Sequence, residues 1–272
     1  MANPAGVNAD DVRLALREAI AAVERAGAEV LALSKSHAVE VWQKAGTEIV
    51  TTADLRSDEV IRRHLRAHFP GHRIYSEETA SVDRLDFSGC VWVVDPLDGT
   101  SNFAHGHPYV SISAALVVDG IPVLGVVHAP FLGETFSAIR GAGATLNGTS
   151  IHVSDTTDLR RALVGTGFPH DRSDVSRPVE RVRRLVSRCQ DVRRAGSPAL
   201  DISWVACGRL DAHCESLPPW DIAAAGLIAA EAGAICASLS GGESALPPAL
   251  RGEDYLVAAP GVYEELRRLL SF

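Results

Sequence analysis

Basic residues are the minority charge in this chain: 26 lysines and arginines stand against 34 aspartates and glutamates, a formal net charge of −8 over 272 residues. That balance leaves no electrostatic footprint for nucleic acid or an anionic membrane surface, and neither is expected as a partner. Cysteine is sparse too. Cys90, Cys189, Cys207, Cys214 and Cys236 are odd in number and make no Cys-x-x-Cys pair, which excludes a disulfide framework and a thiolate zinc site. Long apolar runs are missing: the best candidate, Ile222 to Ala230, is bounded by Asp221 and Glu231 and falls well short of the roughly 18 residues of a spanning helix. No basic segment leading into an apolar core opens the sequence, so a cytoplasmic location is expected. There is no internal repeat, and Ser240 to Pro248 is a loop rich in glycine, serine and proline rather than a linker.

What is present suits an ordinary folded protein, 46% hydrophobic and 22% charged. The length allows one large domain or two intimately packed lobes, and we expect lobes of residues 1–153 and 154–272 with a soft boundary, the first carrying most of the candidate ligands. Apolar residues at helical spacing predict a first helix from Asp10 or Asp11 to about Leu33 and a second from Asp54 to Phe69, closed by Pro70-Gly71. Residues 73–147 read mainly as sheet. Val91 to Val94 is a buried strand stopping at Asp95, and Val110 to Val118 joins Ile121 to His128 through an Asp119-Gly120 hairpin turn. The remainder alternates strands and helices, which gives an α/β (α+β) class of layered helices and sheets.

The densest chemical signal is Asp95-Pro96-Leu97-Asp98-Gly99-Thr100, directly after the apolar run. Asp-Pro and Asp-Gly alone are common surface turns. Placed together after a buried strand, two carboxylates three residues apart around a proline-stiffened turn can converge on one point. Carboxylates held within about 4 Å repel unless something offsets them, and hard divalent cations with oxygen ligands do so. Gly99-Thr100-Ser101-Asn102 then lets backbone N–H groups approach an anion. A metal pair beside an anion cradle is a phosphoryl-transfer layout. Glu77-Glu78 also ends a strand, and Asp221 follows Trp220 at the start of an alanine-rich helix, where an isolated aspartate would serve as an N-cap.

In this order these residues resemble the signatures of the inositol monophosphatase family of metal-dependent, lithium-sensitive phosphatases. The two signatures are Asp95 to Thr100 and Trp220-Asp221-Ile222-Ala223-Ala224. Val50-Thr51-Thr52-Ala53-Asp54, Glu77-Glu78, Gly125-Val126-Val127, Leu146-Asn147-Gly148, Gly167-Phe168-Pro169 and the stretch from Arg194 to Asp201 extend the likeness over nearly the whole chain. The resemblance implies a layered αβαβα sandwich and a Mg²⁺-dependent phosphoric monoester hydrolase acting on inositol 1-phosphate or a related polyol phosphate. Glu77, Asp95 and the Leu97 carbonyl would hold one Mg²⁺. Asp95, Asp98 and Asp221 would hold a second, and a weaker third ion near Glu77 would help to hold the attacking water. Bound metal lowers the pKa of water from about 15.7 to roughly 7–9, and two metals clamp attacking and leaving oxygens in line. Asp54 would polarise Thr100, which would orient that water. Gly99 and Thr100 N–H groups would meet the phosphate, while Asp98, Gly196, Ser197 and Glu215 would face the substrate alcohol.

The family commonly forms homodimers. Its superfamily includes enzymes for histidinol phosphate, fructose 1,6-bisphosphate and 3′-phosphoadenosine 5′-phosphate, and some bacterial members act on the transcription machinery, so a regulatory partner is the alternative from another class. Departures from the pattern are Ser76 where glycine is usual, Pro198 for a usual small residue, and one residue fewer between Glu215 and Trp220, with Pro218-Pro219 filling the gap. His105-Gly106-His107 lacks a third ligand at a recognisable spacing and is left without a role. The arginines of 181–188 with Arg193 and Arg194 read as a solvated helix face, part of which could guide a phosphate substrate, and Lys44 as a solvated residue near the mouth.

Overall fold

The computed structural model describes residues 8–36, 39–44, 47–80, 85–171, 173–240 and 244–271. Helix α1 (Ala9–Ser34) is capped by Asn8, whose side chain accepts from the Asp10 N–H, so Asp10 and Asp11 lie in the first turn rather than at the cap. Its buried stripe of Val12, Ala15, Ala19, Ala22, Val23, Ala26 and Val30 follows the 3.6-residue period. Strands β1 (Val41–Gln43) and β2 (Ile49–Thr51) form a small antiparallel ribbon that feeds α2 (Thr52–His68).

The chain then builds a large sheet from β3 (Arg73–Ser76) and β4 (Cys90–Asp98), the single turn α3 (Thr100–Ala104), and β5 (Ser111–Val118), β6 (Ile121–Ala129), β7 (Glu134–Ile139), β8 (Ala144–Leu146) and β9 (Thr149–Ile151). These seven strands lie in sequence order, antiparallel except for the parallel pair β3–β4. Asp119 (φ 48°) and Gly120 (φ 78°) make the two-residue turn that their identities predict.

A second sheet comes from β10 (Leu163–Thr166), α4 (Ser176–Val186), β11 (Asp191–Arg193), α5 (Pro198–Ala206), β12 (Ala212–Glu215), α6 (Pro219–Glu231), β13 (Ile235–Ser238), β14 (Tyr255–Ala258) and α7 (Pro260–Leu270). Its strand order is β11-β10-β12-β14-β13. Three apolar cores stack the elements into five layers: α1 and α2, the large sheet, α5 and α6, the small sheet, then α4 and α7. This is the αβαβα sandwich. The continuous apolar run at β4 is explained by its position, since Trp92 and Val94 enter the α1/α2 core while Val91 and Val93 enter the α5/α6 core. Helix α6 lies between both sheets, which is why Ile222 to Ala229 is buried all round.

Two expectations are corrected. Strand β4 does not stop at Asp95 but runs on to Asp98 through a register shift. The short strands β8, β9, β11 and β13 were not anticipated, because three or four residues carry too little alternation to signal a strand. Among the described residues no helix is long and apolar enough to cross a membrane.

Gly125 marks a close approach of the large sheet to α6: a Cβ there would lie 2.7 Å from the Ala224 carbonyl oxygen. Gly125→Val is therefore expected to lower stability by about 1–3 kcal/mol, the range of overpacking, read as a lower urea midpoint at unchanged slope.

Candidate active site

The site begins with a parity problem in β4. Asp95 and Asp98 are an odd number of residues apart and would face opposite sides of a regular strand. The ladder pairs Asp95 with Ser113 and Asp98 with Ser111, so the segment through Pro96 and Leu97 holds one residue more than its partner. That bulge turns both carboxylates toward the α5/α6 layer while Leu97 stays in the α1/α2 core. Proline suits it because it has no N–H to leave unmatched. The Leu97 N–H donates to Asp95 Oδ1 (2.9 Å), and the Ser57 hydroxyl holds the Pro96 carbonyl (2.5 Å).

Other elements bring further acids to the same cleft. Glu77 follows β3, its N–H donating to the Val94 carbonyl (3.1 Å). Asp221 lies in the first turn of α6, which is tied down where Ser113 Oγ donates to the Trp220 carbonyl (2.9 Å). Asp98 Oδ2 accepts from Ser197 Oγ (2.6 Å), the Ala199 N–H (2.8 Å) and Ser111 Oγ (3.1 Å), leaving Oδ1 outside this set. Asp54 is the third residue of α2 in a capping box: its Oδ2 accepts from the N–H (2.8 Å) and hydroxyl (2.6 Å) of Thr51, and its Oδ1 accepts from Thr100 Oγ1 (2.7 Å).

Glu77, Asp95, Leu97, Asp98, Gly99, Thr100, Gly196, Glu215 and Asp221 line one cleft of about 320 Å³. Asp54 lies just behind Thr100. Ser197 departs from the expectation that it faces the substrate alcohol: it is fully buried, and its hydroxyl is turned onto Asp98 and Ser111. Gly99 sits at φ 96°, and a Cβ there would lie 3.1 Å from the carbonyl oxygens of Gly196 and Tyr109, so glycine is required where the two halves of the cleft meet.

The electrostatics are those of a buried anion cluster. Burial, then the charges of neighbouring acids, holds Asp95 and Asp221 well above the usual carboxylate range. Burial pushes Asp98 up to about 7 against its three hydrogen bonds, and Glu77 up to about 7 despite the nearby Lys44. Asp54 is raised by burial, against its bonds to Thr51 and Thr100. Lys44, expected to be solvated, has its ammonium 2.8 Å from Glu78, 3.2 Å from Glu48 and 3.7 Å from Glu77. Among the described residues no lysine or arginine pairs with Asp95, Asp98 or Asp221. An all-oxygen donor set short of positive charge fits a hard divalent cation.

Several features were not legible. Tyr109 donates its hydroxyl to Asp201 Oδ1 (2.7 Å) beneath the cleft, and Arg194 lines it. Arg181 is not on a solvated face: it is buried and shares Asp254 (3.1 Å) with Arg177 (2.7 Å). Far from the cleft, α1 and α2 bring Glu18, His64 and His68 together. Arg25 can only donate to His64 Nδ1 (3.2 Å), which assigns the proton to Nε2, and that N–H donates to Glu18 Oε2 (3.0 Å). A proton rather than a lone pair thus faces the centre of this group, which acts as a staple between the helices. His105 and His107 join no such group among the described residues.

A five-layer fold that encloses an acid-lined cleft is the architecture of a metal-assisted phosphatase. The chain belongs to the inositol monophosphatase family, whose family model matches residues 11–271. It is 40% identical over 232 residues to inositol monophosphatase 2 of Solanum lycopersicum, covering 83% of this chain and 87% of that protein. It is 38% identical over 226 residues to the Nus factor SuhB of Pasteurella multocida, covering 82% of each. The inositol monophosphatase structure from Anabaena (Nostoc) sp. PCC 7120 superposes with a TM-score of 0.82 at 32% identity, over 96% of both chains.

Glu77 and Asp98, held at about 7, bind more protons folded than unfolded, so in metal-stripped protein their contribution is present at low pH and lost as pH rises through about 7. Stability to heat in chelator should therefore fall between about pH 4 and about pH 7, and Mg²⁺ should restore most of it at the upper end. Asp95→Asn removes one charge from the cluster; it should raise the melting temperature in chelator at the upper pH and abolish the response to Mg²⁺.

Proposed function

We propose that this chain is a Mg²⁺-dependent phosphomonoesterase hydrolysing inositol 1-phosphate or a closely related polyol phosphate. The observation that carries the reading is that Glu77, Asp95, Asp98 and Asp221 line one cleft, the three aspartates with no lysine or arginine paired to them among the described residues, beside the hydrogen-bonded pair Asp54–Thr100. In it, Glu77, Asp95, the Leu97 carbonyl, Asp98 and Asp221 hold two to three Mg²⁺ ions. Magnesium bound there supplies Lewis acidity toward the phosphoryl oxygens and acidifies water.

The protein's own groups do the rest. Thr100 has one hydroxyl proton and two acceptors within reach, Asp54 Oδ1 at 2.7 Å and the Leu97 carbonyl at 3.1 Å. The carboxylate is the stronger acceptor, so the proton points to Asp54; the Leu97 carbonyl stays available as a ligand and the Thr100 oxygen can accept from a water in the cleft. Asp54 cannot swing away, because Thr51 grips its other oxygen twice. Gly99 and Thr100 N–H groups receive the phosphate, and Gly196 and Glu215 form the rim that meets the alcohol, with Ser197 holding Asp98 from behind. Association as a homodimer and a cytoplasmic location complete the proposal.

A second reading, association with the transcription machinery, is favoured by the likeness to a relative named as a Nus factor. Copurification of RNA polymerase equally with the unsubstituted chain and Asp95→Asn would support it as a role independent of hydrolysis.

The test of the main reading is phosphate release with Mg²⁺ from inositol 1-phosphate, histidinol phosphate, fructose 1,6-bisphosphate and 3′-phosphoadenosine 5′-phosphate. Inositol 1-phosphate should have the highest kcat/KM, and Thr100→Val should lower kcat by about 10²–10⁴-fold, the usual contribution of a positioned proton acceptor. Asp95→Asn should leave no measurable turnover. Release from none of the four esters would refute the reading.

A further inference from the structure

Glu215 shares strand β12 with a residue that the site described above does not use. His213 is fully buried, two residues before Glu215 and therefore on the same face of the strand. Its Nδ1 lies 3.3 Å from Asp201 Oδ2 and its Nε2 lies 3.5 Å from Glu215 Oε2. We propose that His213 is a positioning residue for the substrate rim: clamped between Asp201 of α5 and Glu215, it holds the Glu215 carboxylate aimed at the cleft, and so sets affinity for the hydroxyl-bearing part of the substrate. The inference rests on Glu215 meeting that part of the substrate, as proposed above.

The space for this clamp is built into the neighbouring strand. Gly165 is paired with His213 across β10–β12, and a Cβ on it would lie 2.8 Å from His213 Nδ1. A Cβ on Gly167 would fall onto the Glu215 carboxylate. Two glycines at strand spacing thus vacate the room that two titratable side chains at the same spacing fill.

The charge arrangement accounts for the ring's state. Asp201 and Glu215 face it, Tyr109 stands behind Asp201, and the flanking strands oppose it with Gly165 and Val257, which carry no charge. Neither ring nitrogen has good hydrogen-bond geometry, so attraction between charges carries the contact. Burial works against a charged ring, but the two carboxylates outweigh it and push the imidazole up to about 9. An uncharged residue at 213 would leave two buried carboxylates facing each other without a cation, and Glu215 would turn away from its present aim.

The experiment compares inositol 1-phosphate with phenyl phosphate, an ester without hydroxyls, in His213→Phe, His213→Gln, Glu215→Gln and the Phe/Gln double variant. In His213→Phe, KM for inositol 1-phosphate should rise at least about tenfold while kcat and both constants for phenyl phosphate move less than about threefold. Glu215→Gln should show the same KM change, the double variant should be no worse than Glu215→Gln, and His213→Gln, uncharged like the phenylalanine variant, should lose affinity to a similar extent. In parallel, ¹⁵N NMR of the folded protein should find both His213 ring nitrogens protonated near neutral pH, with that proton lost at lower pH in Glu215→Gln. An unmoved KM in folded His213→Phe, equal losses on both esters, additive effects or a neutral imidazole would each overturn the proposal. Turnover of neither ester by the unsubstituted enzyme would instead sink the phosphatase reading, and the NMR arm would still decide whether His213 is charged by Glu215.

Discussion

Mutual repulsion among buried carboxylates is the constraint that the rest of this structure answers. Asp95, Asp98 and Asp221 are buried and Glu77 is half-buried along one cleft, where each charge is costly and each neighbour adds to the cost. Such a group holds its shape only if the backbone carrying it is fixed by other forces. The three stacked apolar cores supply them, with β4 gripped on one face by α1 and α2 and on the other by α5 and α6.

The site also depends on both halves of the chain meeting. The large sheet contributes Glu77, Asp95 and Asp98, whereas α6 contributes Asp221 and the N-terminus of α5 braces Asp98 through Ser197 and the Ala199 N–H. Helix α6 leans on Gly125 of β6 on one side and on the small sheet on the other, so the positions of the two sheets are coupled through one buried helix. The proposed substrate rim extends the same logic: Glu215 comes from the small sheet, while Asp201, linked to it through His213, and Tyr109 come from α5 and from the approach to β5.

Much of this was legible in the residues. The long periodic helices, the Asp119-Gly120 hairpin and the acidic hexapeptide after an apolar strand all carry their signals within a few positions. What escaped depends on partners distant in the chain. Pro96 signals a strand end, yet β4 continues, because the proline sits in a bulge that only the pairing with β5 reveals. Ser197 reads as a rim hydroxyl, but Asp98 claims it across the lobes. The run of arginines near Arg181 looks solvated until Asp254, brought in by the small sheet, turns one of them inward. His213 stood in the sequence only as part of the strand leading to Glu215, since nothing local places it against Asp201.

Asp54 occupies two offices at once. It is the third residue of α2 and half of its capping box, and it is also the acceptor that orients Thr100. The two bonds from Thr51 that close the first turn of α2 also fix the carboxylate that faces Thr100, so the helix could not begin one residue later without taking the acceptor from Thr100. Helix initiation and the aim of the proposed catalytic pair are thereby a single event, and the chain cannot achieve one without the other.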